Sequence, residues 1–247
     1  MRDLAGLTPA INPRHGNNDN KTKSQTEKLK MKTLYLIAPS ILDGPMKTIG
    51  PKGRALALRR AKTLNLGRIE PEPGAVAPDD LVADIGQEHR FSRLFYAPLV
   101  SCLQTAMMFC DGLGYLPQVM PTIFGLGDEE MLKEIFTEEF KTAVANDLSE
   151  LSASLKVHSI EQSAIWANSS QVALISMFNA MADGEIAVGF FPAIALVLAA
   201  WSYGTNERTR GVWSKLGPME GLIFVSHDDR DCLPYVAGKI EVVGSAK

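Results

Sequence analysis

The chain has few cysteines, no excess of basic residues and no long apolar run, and each absence excludes a class of protein. Three cysteines in 247 residues (Cys102, Cys110 and Cys232) are too few for a disulfide scaffold and show no metal-ligand spacing. The net charge of -3 argues against a nucleic-acid-binding protein. No segment supplies the roughly 20 apolar residues of a membrane-spanning helix, and the first residues do not resemble a secretion signal. We therefore expect a cytoplasmic protein without metal, cofactor, nucleic-acid or membrane partner.

The first thirty residues include a long polar segment. Residues 12–28 contain no aliphatic or aromatic side chain, so they cannot bury enough apolar surface to offset the entropy of ordering them. We predict a disordered tail over residues 1–30 and one folded domain over residues 31–247. The segment from Met31 onward looks like an ordinary protein start, which leaves open whether the tail belongs to the natural protein.

Short apolar runs alternate with helical patterns along the rest of the chain. Continuous apolar runs at 34–38, 94–97 and 222–225 are typical of buried parallel strands. Helices are predicted over 53–64, 98–110, 128–155 (one or two), 160–182 and 186–203. The last of these is apolar and contains Pro192, which favours a buried helix over a membrane span. This alternation predicts an α/β fold, a three-layer α/β/α sandwich with a mostly parallel central sheet.

Five segments, in the same order along the chain, resemble motifs of the histidine phosphatase (phosphoglycerate mutase-like) superfamily. Residues 34–40 match a first strand that runs into Arg-His-Gly, and residues 49–57 match a helix that opens with Thr-x-x-Gly-x-x-Gln-Ala. Residues 96–106 match Ser-Ser-Pro-Leu-x-Arg-Ala-x-Gln-Thr-Ala. Residues 183–185 are similar to Gly-Glu-Ser before a helix, and residues 222–228 to a strand that ends in Val-Ser-His-Gly. The resemblance covers residues 32–240 and implies a phosphoglycerate mutase-like fold.

The residues that would carry the family's chemistry are mostly replaced. The family uses a nucleophilic histidine, two arginines that hold the phosphoryl oxygens, a second histidine and a carboxylic acid. At the nucleophile's position this chain has Pro39, and Ala38 and Ser101 stand at the arginine positions. The region matched to the acid, residues 121–123, has no carboxylate, and only His227 matches a family histidine. The resemblance therefore implies a pseudophosphatase.

The expected site is the remnant of the phosphate pocket. His227 is its only catalytic-type residue, and the pocket lining is predicted to comprise Ala38, Pro39, Ser40, Ser101 and Asp228. The aspartates after His227 either add negative charge that disfavours an anionic ligand or cap a following helix.

Three minor interpretations of single residues or tripeptides carry less weight. A metal site at His227 lacks a visible third ligand. A Ser40–His227–Asp triad lacks the glycine-flanked turn that exposes a serine nucleophile. The tripeptide 14–16, Arg-His-Gly, lies in the polar tail without a preceding strand, which indicates a chance match.

Three functions remain open from the sequence. The favoured one is a catalytically inactive protein that acts by binding a protein partner or a small non-phosphate ligand. The alternative is an active phosphomonoesterase or phosphomutase with an unrecognised site around His227. The third is a structural subunit whose helices within 128–182 form a homodimer. His158 and His89 are predicted to lie in polar, exposed surroundings.

Overall fold

The computed structural model describes residues 31–43, 48–65, 90–122, 126–203, 215–226 and 234–240. The predicted tail lies outside these ranges. The described residues form eight strands: β1 (Lys32–Ile37), β2 (Leu42–Asp43), β3 (Thr48–Ile49), β4 (Arg93–Tyr96), β5 (Gln118–Pro121), β6 (Ile186–Phe190), β7 (Gly221–Ser226) and β8 (Tyr235–Ile240). They also form seven helices: α1 (Pro51–Asn65), α2 (Val100–Leu113), α3 (Glu129–Ile135), α4 (Glu138–Ala145), α5 (Glu150–Val157), α6 (Ile160–Ala180) and α7 (Ala193–Tyr203).

A six-stranded, mostly parallel sheet forms the centre of the molecule. Its strand order is β5-β4-β6-β1-β7-β8. Strands β5, β4, β6 and β1 are parallel, whereas β7 is antiparallel to both of its neighbours. Helix α1 packs on α2, and α6 packs on α7. The predicted α/β fold with a mostly parallel sheet is confirmed.

Residues 186–203, predicted as one buried helix, are a strand followed by a helix. Val188 of β6 pairs with Tyr35 of β1 and with Leu94 of β4, so this strand is central in the sheet. Central parallel strands are covered on both faces and are therefore continuously apolar, as buried helices are. Pro192, which lacks an N–H, precedes helix α7, where that donor is not needed. The proline marks the boundary between the two elements.

The region 128–155 contains three helices rather than one or two. Each begins at a side chain that accepts a backbone N–H: Asp128 for α3, Thr137 for α4 and Ser149 for α5. Such N-caps satisfy donors that a helix leaves unpaired at its start. None of the described helices is both long and apolar enough to cross a membrane.

The segment 183–185, predicted to precede a helix, precedes strand β6. Glu185 lies at the amino ends of the parallel strands, where its backbone oxygen accepts from the Thr33 N–H. Its Oε1 accepts from Ser92 Oγ (2.6 Å) and from Arg93 Nε (2.7 Å), and its Oε2 accepts from the Ala182 N–H. The carboxylate therefore joins the start of β4 to the turn before β6.

His158, predicted to lie in polar, exposed surroundings, packs between aromatic rings. Its ring stacks on Phe140 at 6.1 Å and meets Trp166 edge-on at 4.9 Å. Its Nε2 lies 3.0 Å from Ile135 O and donates to that carbonyl, which can only accept. The imidazole thus links the end of α3 to α6 across α4. His89 lies outside the described residues.

Replacing His158 by alanine is expected to lower the free energy of unfolding by about 2 kcal/mol, the sum of one hydrogen bond and two aromatic contacts. The variant His158→Phe keeps the ring contacts and loses only the hydrogen bond, so its loss should be smaller. Urea unfolding followed by circular dichroism measures both variants. Equal losses in the two variants would show that the ring contacts contribute nothing.

Candidate ligand pocket

Three strand ends meet at one edge of the sheet. Because β1, β4 and β6 are parallel, their carboxyl ends lie together, the usual place for a ligand in an open α/β sheet. The Ala97 N–H, after β4, donates to Phe190 O of β6 (3.0 Å), and the Phe191 N–H donates to Ile37 O of β1 (3.1 Å). These hydrogen bonds hold the first residues after each strand side by side.

A pocket of ≈ 990 Å³ opens at this edge. Ala38, Pro39 and Ser40 line it after β1, and Ser101 lines it from the first turn of α2. These four predicted residues therefore share one pocket. The remaining lining residues are Ile41, Leu42, Leu99, Val100, Glu129, Leu132, Lys133, Phe136, Lys141, Pro192, Ala193, Leu216, Gly217 and Pro218.

The Ser40 hydroxyl is occupied by a structural contact. Ser40 Oγ donates to Gly53 O of α1 at 2.7 Å, and the Ser40 N–H donates to Thr105 Oγ1 of α2 at 3.1 Å. Ser40 is buried, with 3% of its surface exposed. A hydroxyl that donates to a backbone carbonyl is not paired with a base, so the geometry speaks against the serine triad.

Helices α3 and α4 form a wall of the pocket that the sequence reasoning missed. Leu132 and Phe136, one helical turn apart, line the pocket, and Phe136 also packs edge-on against buried Phe140 at 5.4 Å. Gly127, with a φ of 84°, lets the chain enter α3 close to the strand ends. A Cβ there would lie 2.8 Å from Pro192 Cδ and 3.0 Å from Ala97 Cβ. In the sequence, the four-residue spacing of Leu132 and Phe136 is the feature that could have indicated this wall.

The described lining of the pocket is poor in the groups that phosphate chemistry needs. It contains no histidine, arginine or aspartate, and its ionisable members are Glu129, Lys133 and Lys141. Glu129 pairs with Lys133 at 2.9 Å, and Lys141 pairs with Glu138 at 2.6 Å. The hydrogen bond and charge of Lys133 hold the pKa of Glu129 below its ordinary value. All of these charges lie at the exposed mouth.

The cysteine beside the pocket is not a nucleophile. Cys102 follows Ser101 in α2 but is fully buried, and burial raises its pKa to about 12. A thiol with so high a pKa is protonated at neutral pH and unreactive. Among the described residues, no group of histidine, cysteine and acidic side chains could hold a metal ion.

Comparison with solved structures identifies the architecture. Bacillus stearothermophilus YhfR is 14% identical, with a TM-score of 0.51 over 85% of this chain and 98% of that chain. A mycobacterial glucosyl-3-phosphoglycerate phosphatase is 11% identical, with a TM-score of 0.49 over 86% and 100%. A phosphoserine phosphatase from Entamoeba histolytica is 13% identical, with a TM-score of 0.48 over 86% and 98%. The chain has the predicted phosphoglycerate mutase-like fold. No protein-family model and no curated protein sequence matches the chain.

Within this fold, the predicted parallel direction of the strand before His227 is wrong. Strand β7 is antiparallel to β1, and Ser226 pairs with Lys32 at the amino end of β1. Pro39 follows Ile37, the carboxyl end of β1, and Ile37 lies roughly 17 Å from Lys32 along the strand. Strand β7 therefore does not bring its carboxyl end to the pocket. His227 and Asp228 themselves lie outside the described residues.

The parallel strand that ends beside β1 is β6. Phe190 ends this strand, and Phe191 and Pro192 follow it. Phe190 and Phe191 are fully buried, whereas Pro192 lines the pocket. The described ends of β1 and β6 therefore present no imidazole to the pocket.

Proposed function

We propose that this chain is a catalytically inactive protein with a histidine phosphatase fold, which binds a small non-phosphate ligand in the pocket at the sheet edge. The observation that carries the proposal is the pocket's lining. Pro39, Ala38 and Ser101 stand there at the positions that the resemblance assigns to the nucleophile and two arginines. Proline has no lone pair with which to attack phosphorus, so the covalent route is closed.

The expected losses in phosphate affinity and in rate support a complete loss of catalysis rather than a weakened activity. A charge-assisted hydrogen bond contributes about 1.5–3 kcal/mol, so two missing arginines remove several kcal/mol of phosphate affinity. A missing preorganised donor alone costs about 10²–10³ in rate. The described lining offers no other cation except Lys133 and Lys141, which lie at the mouth and pair with carboxylates.

We expect no hydrolysis of a panel of phosphomonoesters by the full chain, and no thermal shift with inorganic phosphate or vanadate. The neutral apolar dye Nile red, in contrast, should bind and increase in fluorescence. The variant Ser101→Trp fills the pocket from α2 and should abolish dye binding. Hydrolysis is measured colorimetrically and dye binding by titration.

Two variants separate the protein's own activity from a contaminant. Turnover that persists unchanged in both Ser101→Trp and His227→Ala belongs to a contaminating phosphatase, whereas turnover that either variant abolishes would overturn the proposal of inactivity. Dye binding that survives in Ser101→Trp would overturn the proposal of a ligand in this pocket. The exposed-site variant Lys62→Trp, on α1, controls for the added indole. A protein partner and a homodimer stay predictions.

A further inference from the structure

The pocket has an apolar floor that is open to solvent. Ile41, Leu42, Val100 and Phe136 all line it and are exposed, with 60% of the Val100 surface accessible. These four are among the exposed large apolar residues of the described chain. Such a concentration in one concave site marks a place where an apolar group is bound. Its volume, ≈ 990 Å³, lies at the upper end of the range for small-molecule sites, about 300–1,000 Å³.

The mouth of the same pocket carries two lysines and one glutamate. Helix α3 presents Glu129, Leu132 and Lys133 at the spacing of one helical face, and Phe136, the residue directly after the helix, continues that face. The apolar pair contacts the pocket interior, and the charged pair lies at its exposed rim. Lys141, from α4, adds a second cation. The ionisable lining thus comprises two lysines and one glutamate, because Glu138, the partner of Lys141, is not one of the lining residues.

From this pattern we propose that the pocket binds an amphiphilic carboxylate, with its apolar body on the floor and its carboxylate between Lys133 and Lys141. This inference rests on the proposed function and specifies its ligand class. The lysines are free to turn toward a ligand, because their present ion pairs are exposed to solvent and therefore weak.

Two other ligand classes fit the site less well. An amine would have to bind beside two lysines, and the one carboxylate of the lining, Glu129, already pairs with Lys133. A phosphate monoester needs a dianion site with several convergent donors, whereas the described lining near the strand ends supplies no cation and only two serine hydroxyls, of which Ser40 already donates to Gly53 O. A monoanion on an apolar chain matches the two lysines at the mouth and the apolar side chains of the floor.

The test compares decanoate with its neutral counterpart decanamide on the full chain, by isothermal titration calorimetry in low salt. Decanoate should bind about tenfold more tightly, the contribution of one charge-assisted contact at an exposed site. In Lys133→Gln/Lys141→Gln the two affinities should agree within about twofold. Raising the salt concentration should weaken decanoate alone. Lys156→Gln, a surface lysine at the end of α5, is the matched control and should change nothing.

The outcomes distinguish the two proposals. Equal binding of decanoate and decanamide, both lost in Ser101→Trp, would overturn the carboxylate inference and leave the proposed ligand pocket intact. Decanoate binding that survives in Ser101→Trp, or that the control lysine variant also weakens, would overturn the carboxylate site as assigned. Absence of binding by decanoate, decanamide and Nile red would overturn the ligand pocket itself.

Discussion

Replacing Glu185 by glutamine is expected to lower the free energy of unfolding by about 3 kcal/mol at pH 7. Both carboxylate oxygens are acceptors, one for Ser92 and Arg93 and the other for the Ala182 N–H. A glutamine amide has only one oxygen, so its NH₂ group would face either the Ala182 donor or the Arg93 guanidinium. The salt bridge to Arg93 is also lost. Urea unfolding of the two proteins measures the difference.

The pH dependence of this difference follows from the direction of the pKa shift. Burial raises the pKa of Glu185, but the hydrogen bonds from Ser92, Ala182 and Arg93 outweigh it and leave the pKa below its ordinary value. A carboxyl group whose pKa is lower in the folded than in the unfolded protein stabilises the fold at pH values above its unfolded pKa, about 4.3. This stabilisation is lost as the pH falls through the folded pKa. The stabilities of wild type and Glu185→Gln should therefore converge below about pH 4.

The matched control is Glu138→Gln, which alters a carboxylate in an exposed ion pair with Lys141. Its unfolding midpoint should stay unchanged at pH 7, because exposed pairs contribute little. A midpoint for Glu185→Gln equal to that of the control would contradict the structural role of this carboxylate. So would a difference between wild type and Glu185→Gln that persists unchanged at low pH.

The sequence identifies three of the six strands of the central sheet. Continuous apolar runs identify β1, β4 and β7 because these strands are buried on both faces. Burial on both faces also makes β6 difficult to recognise. Its apolar run leads directly into the apolar helix α7, so the spacing of apolar residues does not change where the strand ends. Pro192 alone marks the boundary. The short edge strand β5, largely exposed, has no apolar pattern to reveal it.

The direction of β7 explains why the site could be predicted only in part. The pocket residues after β1 and β4 can be predicted because their motifs are short and local. Pro39 follows an apolar run, and Ser101 lies in the first turn of a helix. A strand's direction in the sheet depends on long-range pairing, which no local pattern encodes. The sequence therefore does not reveal that the strand before His227 runs antiparallel to β1. The wall from α3 was missed because its apolar pair is typical of core packing.

A second large effect is expected at Gly53, in the first turn of α1. A Cβ at this position would lie 2.2 Å from Ile41 O and 2.9 Å from Ile49 Cγ2. The carbonyl belongs to the backbone that lines the pocket, so it cannot move without carrying Ile41 with it. Overpacking against backbone costs about 3 kcal/mol, more than the roughly 1 kcal/mol that alanine gains over glycine in a helix.

We therefore expect Gly53→Ala to unfold at a lower urea concentration and to bind Nile red more weakly, because the displaced Ile41 reshapes the apolar floor. Gly238→Ala, in edge strand β8, is the matched control. Its Cβ would meet only Ile223 Cδ1 at 3.8 Å, an ordinary contact, so both its stability and its dye binding should be preserved. Identical unfolding of the two variants would show that the segment after β1 tolerates displacement. If Gly53→Ala is less stable but binds the dye as wild type does, the packing of α1 does not determine the shape of the pocket. Ile41 would then not be required for the apolar floor.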